Sequence, residues 1–435
     1  MLGSLYTGVS GVNAYTQAMA VVGDNIANVN TTGFKSSMAT FETLMSQTLG
    51  KAGEVGRGVR IGAIRPSWAA GTVENTTSFT DMAINGTGLF VLKNPSNGMT
   101  TFTRAGTFQF NKLGELVNSA DGSYVQGYSI NPDTGILGAM GNITIPSDLA
   151  PPRATTIFNT NINFDSRTAE GVAFPPAAGT DEQRLADIAG RADYSATLTV
   201  YDSLGNAIPL TLYFAKIVPA VPYASQWEIR AFIPHTMGGG LGGEVTVSHP
   251  SLGFDNMGSL IGTPPITITL NNLKTGAADN QPIVWDIANA ANITNGSVTQ
   301  YGTVSSLMSK DQNGYTAGTF AGVSIEEGGT VTVMYSNGQL VPLFKLALAD
   351  FANYTGLKRI GGNQHVETLE SGQPNINPAG TGGTGDVTPY SLEMSNVDLS
   401  TEFVKMITNQ RAFQANCKVI TTSDEILAEL MMIKR

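Results

Sequence analysis

The chain has 435 residues, and its 24 basic and 34 acidic side chains leave a formal net charge of −10. An acidic balance without a basic run excludes a nucleic-acid binder, which needs a cationic stripe for the phosphates. Only 13% of residues are charged, against roughly 25% in an ordinary soluble protein, while 41% are hydrophobic, enough for a sizeable core spread over about three domains.

The first element predicted is a helix. Leu2, Leu5, Val9, Val12, Met19 and Ile26, with Thr16 and Gly23 filling the gaps, recur at alternating steps of three and four, a heptad seam with two weak positions. Gly3, Gly8, Gly11 and Gly23 each cost an isolated helix about 1 kcal/mol, so this helix needs a partner to be ordered. Asn25, Asn28, Asn30 and Gly33 read as its end and exit. No side-chain positive charge precedes Lys35, which argues against an ordinary secretory signal with its basic start.

The middle of the chain reads as β structure and not as helix. Short alternating runs such as Thr197–Tyr201, Ile208–Phe214, Ile266–Leu270 and Val331–Tyr335 lie between turn signals such as Asp202–Asn206 and Ser336–Gly338. Composition shifts at Pro146–Pro152, and Gly171–Gly179 reads as an exposed loop. Gly372–Gly385 reads as a flexible connection. Asn142-Ile143-Thr144 and Asn292-Ile293-Thr294 are Asn-x-Thr triplets of the kind a chain rich in both residues produces by chance.

The last element is the clearest. Leu399, Phe403, Met406, Gln410, Phe413, Cys417, Ile420, Asp424, Leu427 and Met431 alternate in steps of four and three, with no Gly or Pro from Ser391 onward. Ser395, Asn396 and Asp398 are candidate N-caps, and a helix from about 396 to 432 would be about 55 Å long. Such a seam must be buried against something. The N-terminal seam is the simplest partner; the alternative is that each helix packs on its own neighbouring domain.

Chemistry is hard to find. Cys417 alone makes neither an internal disulfide nor a thiolate metal site. His235, His249 and His365 are far apart and read as surface or loop residues. Gly56–Gly62 lacks the Lys-Ser/Thr of a phosphate loop. No apolar run approaches the roughly 18 residues of a membrane span. No catalytic, cofactor or metal residue is assigned, and the composition suits an extracellular structural or adhesive protein better than an enzyme.

Three stretches resemble the bacterial flagellar rod and hook axial protein family. Gly23-Asp24-Asn25-Ile26-Ala27-Asn28-Val29-Asn30-Thr31-Thr32-Gly33-Phe34-Lys35 is similar to that family's N-terminal signature, with Asp24 where many members have Asn. Ala83-Ile84-Asn85-Gly86-Thr87-Gly88-Leu89-Phe90 followed by Thr103-Arg104-Ala105-Gly106-Thr107-Phe108 resembles its β segment. Ser395-Asn396-Val397-Asp398-Leu399 followed by Gln410-Arg411-Ala412-Phe413-Gln414-Ala415-Asn416 resembles its terminal helix, with Phe413 for the usual Tyr.

The resemblance implies a multidomain α+β fold. Residues 1–30 and 396–435 would pair as a coiled-coil-like helical domain, with mainly β domains inserted between them. Segments 31–71 and 369–395 would connect, 72–145 with 297–368 would form an inner β domain, and 146–296 an outer one. Among family subtypes the long β insertion favours the hook subunit, which polymerises into a curved hollow tube acting as a universal joint between rod and filament. The partners implied are further copies of the chain, the distal rod protein, the hook cap protein, the hook–filament junction protein and the flagellar type III export apparatus. No cofactor and no membrane insertion is implied, and the location would be the extracellular hook, reached without a cleavable signal. A distal rod subunit and an unrelated extracellular β-rich adhesin are the alternatives.

Overall fold

The computed structural model describes residues 2–44, 47–48, 54–132, 134–146, 149–261, 265–287 and 296–433. The second Asn-x-Thr triplet, at Asn292, lies outside them, as does part of the Pro146–Pro152 boundary. Among the described residues there are three α-helices, α1 (Leu2–Ala27), α2 (Asp181–Arg191) and α3 (Leu399–Ile433); most of the rest is β structure. The chain divides into two compact units: Met1–Ser147 with Gly322–Met334 and Leu340–Arg435, and Asp148–Ala321 with Tyr335–Gln339.

The first unit holds the paired terminal helices and a sheet that the chain enters twice. The strand Leu89–Lys93 is its centre. Leu89, Val91 and Phe102 pack in a cluster on one face, while Phe90, Leu92 and Leu348 pack in another. Burial on both faces explains why Leu-Phe-Val-Leu reads as a continuous apolar run instead of an alternating one. Edge-to-face ring pairs, Phe90 on Phe108 at 5.1 Å and Phe102 on Phe351 at 4.9 Å, fill the two sides.

The second unit follows the alternating pattern expected of a sheet with one wet face. Tyr194–Tyr201 pairs antiparallel with Ala207–Ile217, Leu198 opposite Leu210 and Val200 opposite Ile208, and these side chains are all buried. Phe164 stacks on Trp227 at 4.7 Å, and Trp285 Nε1 donates to Thr160 Oγ1 at 2.8 Å.

Several expectations are corrected here. The middle of the chain does contain a helix. α2 starts on a full capping box, Thr180 with Gln183 three helical positions on, and buries Arg184 and Ile188. Gly372–Gly385 is not a free connection. Asn375–Pro378 is a strand paired with Leu340–Asp350, Ala379 is fully buried, and Gly380 donates to the Gly385 carbonyl at 3.0 Å. The chain returns to the first unit near 322 and not near 297, because Val298–Tyr301 and Ser306–Gln312 pair with Ile157–Asp165 of the second unit. His365 is buried in the strand Gln364–Val366 instead of lying on the surface.

Candidate assembly interface

α1 and α3 pair antiparallel, which bears out the pairing of the two ends of the chain. Ser4 Oγ lies 3.3 Å from Ser423 Oγ, and Asn25 Nδ2 donates to Glu402 Oε2 at 3.1 Å at the opposite end of the pair. The face that makes the pair is not the predicted seam. On α1 the buried residues are Gly8, Gly11, Ala14, Ala18, Val22 and Asn25. A Cβ at Gly11 would sit 2.4 Å from Asn416 Oδ1, and one at Gly8 would sit 3.0 Å from Ile420 Cγ1. Small residues let the two backbones approach, so the inner line runs one residue to the side of the large apolar one. Of the helix-weakening glycines, Gly8 and Gly11 are therefore contact residues, whereas a Cβ at Gly3 or Gly23 would meet nothing.

That offset fixes where the predicted seam residues lie. On α1, Leu5, Val12, Met19 and Ile26 are half-buried and Val9 is exposed; the side chain of Leu2 is outside the described residues. On α3, Met406, Phe413, Ile420 and Leu427 are half-buried, while Leu399 and Phe403 are 41% and 50% exposed. Ile420 is brought against α1; Leu399 and Phe403 are not. Val404, Ile407, Val419 and Ile426 are also exposed on α3. The single chain thus leaves a broad apolar flank open along its helix pair.

The signature residues fasten the helix pair to the β structure. Asn25 is an adaptor, its Oδ1 accepting from the Ser37 amide and its Nδ2 donating to the Ser37 carbonyl, each at 2.8 Å. Asn28 Nδ2 donates to Asp24 Oδ1 at 2.9 Å, and the Thr32 carbonyl accepts from Asn363 Nδ2 at 2.7 Å. Gly33 has φ +68°, and a Cβ there would meet the Ala105 amide nitrogen at 2.5 Å, so only glycine fits. Phe34 is buried beneath the Arg359 guanidinium, 5.3 Å from ring centre to cation. Asn396 Oδ1 accepts from the Ser36 amide at 2.8 Å, and its Nδ2 donates to the carbonyls of Ser67 and Ala69. Asp398 caps α3, its Oδ1 accepting from the Thr401 amide at 2.7 Å, which holds its carboxyl below the usual range. Gln410 and Arg411 are exposed on α3.

Lys35 leads to a group that the sequence did not reveal. Its Nζ lies 2.6 Å from Glu393 Oε1 and donates to the Ala69 carbonyl at 2.7 Å. Arg104 Nη1 reaches Glu393 Oε2 at 2.9 Å, and the Gly71 amide donates to Oε1 at 3.0 Å. Both Lys35 and Glu393 side chains are 1% exposed. Burial alone would raise the Glu393 pKa; the charge of Arg104 and the hydrogen bonds from Lys35 and Gly71 outweigh it and hold the carboxyl ionised, below its usual range. Lys35 is matched to a partner 358 residues away, a separation no local pattern can signal. His365 packs on Trp68 with ring centres 5.1 Å apart. Desolvation, helped by the charge of Arg359, pushes its imidazole down to about 4.

Nothing in this junction has the form of a catalytic site, and no cluster of three metal-ligating side chains occurs among the described residues. No helix among them is long and apolar enough to cross a membrane.

Comparison with known proteins is consistent along the whole chain. Four family models match: flagella basal body rod protein at residues 5–35, flagellar hook protein FlgE/F/G D1 domain at 83–163, flagellar basal body protein FlaE D2 domain at 175–315, and flagellar basal body rod FlgEFG protein C-terminal at 389–432. The flagellar hook protein FlgE of Borreliella burgdorferi is 34% identical, with 100% of each chain covered. The chain belongs to the flagellar hook protein FlgE family. Its members from Escherichia coli and Salmonella typhimurium are each 33% identical over 98% of both chains. The crystal structure of Helicobacter pylori flagellar hook protein FlgE2, 16% identical, superposes with a TM-score of 0.52 over 74% of this chain and 100% of that one, a likeness of fold.

Proposed function

We propose that this chain is the structural subunit of a bacterial flagellar hook, polymerising into a curved hollow helical tube that transmits torque as a flexible joint. The observation that carries the reading is the open apolar flank of the helix pair. Leu399, Phe403, Val404 and Ile407 stand in solvent on a helix whose inner line is already satisfied by α1. Exposed apolar surface of this extent marks an interaction site. Contacts with further copies that do not close on themselves generate a helical filament. Leu2, Leu5, Val9, Val12, Met19, Ile26 and the large residues of α3 form the assembly strip, while the small-residue line acts as the coiled-coil-like contact within each subunit.

The further proposals follow from family membership. The chain is not an enzyme; it works outside the cell in the hook and reaches it through the flagellar type III export apparatus. Its neighbours are the distal rod, hook cap and hook–filament junction proteins. Its functional layers are the helical, connecting, inner β and outer β parts, with the inner β part resuming near residue 322. A distal rod role is the weaker reading, since the relatives that match over the full length are hook proteins. The test is deletion of the gene and electron microscopy of basal bodies. Hookless basal bodies restored by the intact gene are expected; normal hooks in the deletion strain would overturn the reading.

A further inference from the structure

The strands Phe320–Ile325 and Thr330–Tyr335, which belong to the first unit from Gly322 to Met334, lie side by side with Leu340–Asp350, Tyr124–Ile130 and Leu137–Asn142 in that order. Leu137–Asn142 pairs with Tyr124–Ile130 on one side, Met140 opposite Tyr128 and Gly141 opposite Gly127. Among the described residues no strand lies on its other side, and Phe320–Ile325 ends the run at the far edge.

An edge strand presents a row of unpaired N–H and C=O groups, and proteins guard such rows with Lys, Pro, bulges or a covering segment. Three other edges of this molecule are guarded. Lys358–Gly361 carries Lys358 and Arg359, and Asn375–Pro378 is short and ends in proline. On Tyr194–Tyr201 the Lys310 ammonium donates to the Thr197 carbonyl at 3.0 Å.

The two edges of the five-strand run are different. Residues 134–145 and 312–325 contain no charged residue and no proline. Ile136, Leu137 and Met140 are 67%, 40% and 43% exposed beside one edge, and Phe320 is 44% exposed on the other. A single irregularity, between Tyr128 and Ile130, bends the first ladder near its turn and leaves Met140–Asn142 in regular register. One sheet therefore offers, at opposite ends, two edges of the same apolar character without Lys or Pro, the first with its only bulge near the turn. A second copy supplies the missing strand to each, and a contact joining unlike edges is head-to-tail and open-ended.

We propose that in the polymer the Leu137–Asn142 edge of one subunit pairs with the Phe320–Ile325 edge of the next, continuing the sheet between copies. This rests on the hook-subunit reading and adds a backbone-bonded contact to the helical one.

The test compares amide hydrogen exchange in purified tubes and in monomer of the full-length chain. Alternate amides of residues 140–142 and 322–325 should exchange at least tenfold more slowly in tubes. Met140→Lys and Phe320→Lys, both at exposed positions, should each raise the critical concentration for assembly at least tenfold while leaving monomer melting unchanged. Tubes whose two edges exchange as fast as in monomer, or lysine variants that assemble like the parent chain, overturn this inference and leave the hook reading standing. A chain that forms no tubes at all overturns both.

Discussion

Replacing Phe403 isolates the assembly strip from the fold. Its side chain is 50% exposed in the single subunit and belongs to the outer flank of α3, away from the Gly8 and Gly11 line. A phenylalanine buries about 200 Å² when fully covered, so a neighbouring copy that covers the exposed half removes about 100 Å² from water, worth about 2.5 kcal/mol. Phe403→Ala loses that contact in every subunit, which raises the critical concentration for elongation about 60-fold. The isolated subunit loses little, because alanine suits an exposed helix position and surface substitutions usually fall within about 0.5 kcal/mol. Phe403→Asp adds the cost of covering a carboxylate and should abolish tubes altogether. Seeded elongation followed by sedimentation gives the critical concentration, and thermal melting of the monomer gives the fold. An unchanged critical concentration, or a melting loss as large as the assembly loss, would refute the separation of strip from fold.

Three further predictions concern the junction and the helix pair. Glu393→Gln strands two buried cations, Lys35 and Arg104, and should cost about 3–5 kcal/mol in urea unfolding of the first unit, far more than an exposed carboxylate change; a loss below about 1 kcal/mol would mean that the group is not buried as described. Gly11→Leu forces α1 away from Asn416 and should cost about 1–2 kcal/mol net of its better helix propensity, read as an earlier loss of helical circular dichroism; a stabilised helix signal would show that the pair has room to spare. The folded pKa of His365 lies below the ordinary 6.5, at about 4, so its contribution is fully present above about 6.5 and is lost as the pH falls toward 4. Over that interval the loss is about 3 kcal/mol, and His365→Phe should remove this part of the acid limb from urea midpoints measured between pH 7 and 4.5, whereas an identical pH dependence would contradict it.

The helices at the two ends and many β strands are legible because their signals are local. Leu399 to Met431 repeats at helical spacing without a break, and Ile266–Leu270 alternates as a strand and is one. The face that joins α1 to α3 was not legible for a physical reason. Periodicity weighs apolar size, so it selected Leu5, Val9 and Val12, while close approach selects the smallest side chains, Gly8, Gly11, Ala14 and Ala18, one step round the helix. α2 carried a readable sign in Thr180 and Gln183, which was outweighed by the Ala/Pro/Gly-rich stretch before it. The junction was half legible. The signature marks Asn25, Thr32, Gly33, Phe34 and Lys35 as special, yet of what they touch, Glu393, Arg359 and Asn363 are brought in by the return of the chain hundreds of residues later. His365 read as a loop residue because one histidine between Gln364 and Val366 carries no pattern; its burial comes from Trp68 and from the pairing of Gln364–Val366 with Thr100–Thr103.

The central claim is that the open flank of the helix pair is closed by other copies in the tube. Single cysteines at Leu399 and Phe403, placed in a Cys417→Ser background, can be labelled with a maleimide in monomer and in assembled tubes. Rapid labelling of the monomer and strong protection in the tube is the result expected at both positions. Equal labelling in the two states would contradict the claim.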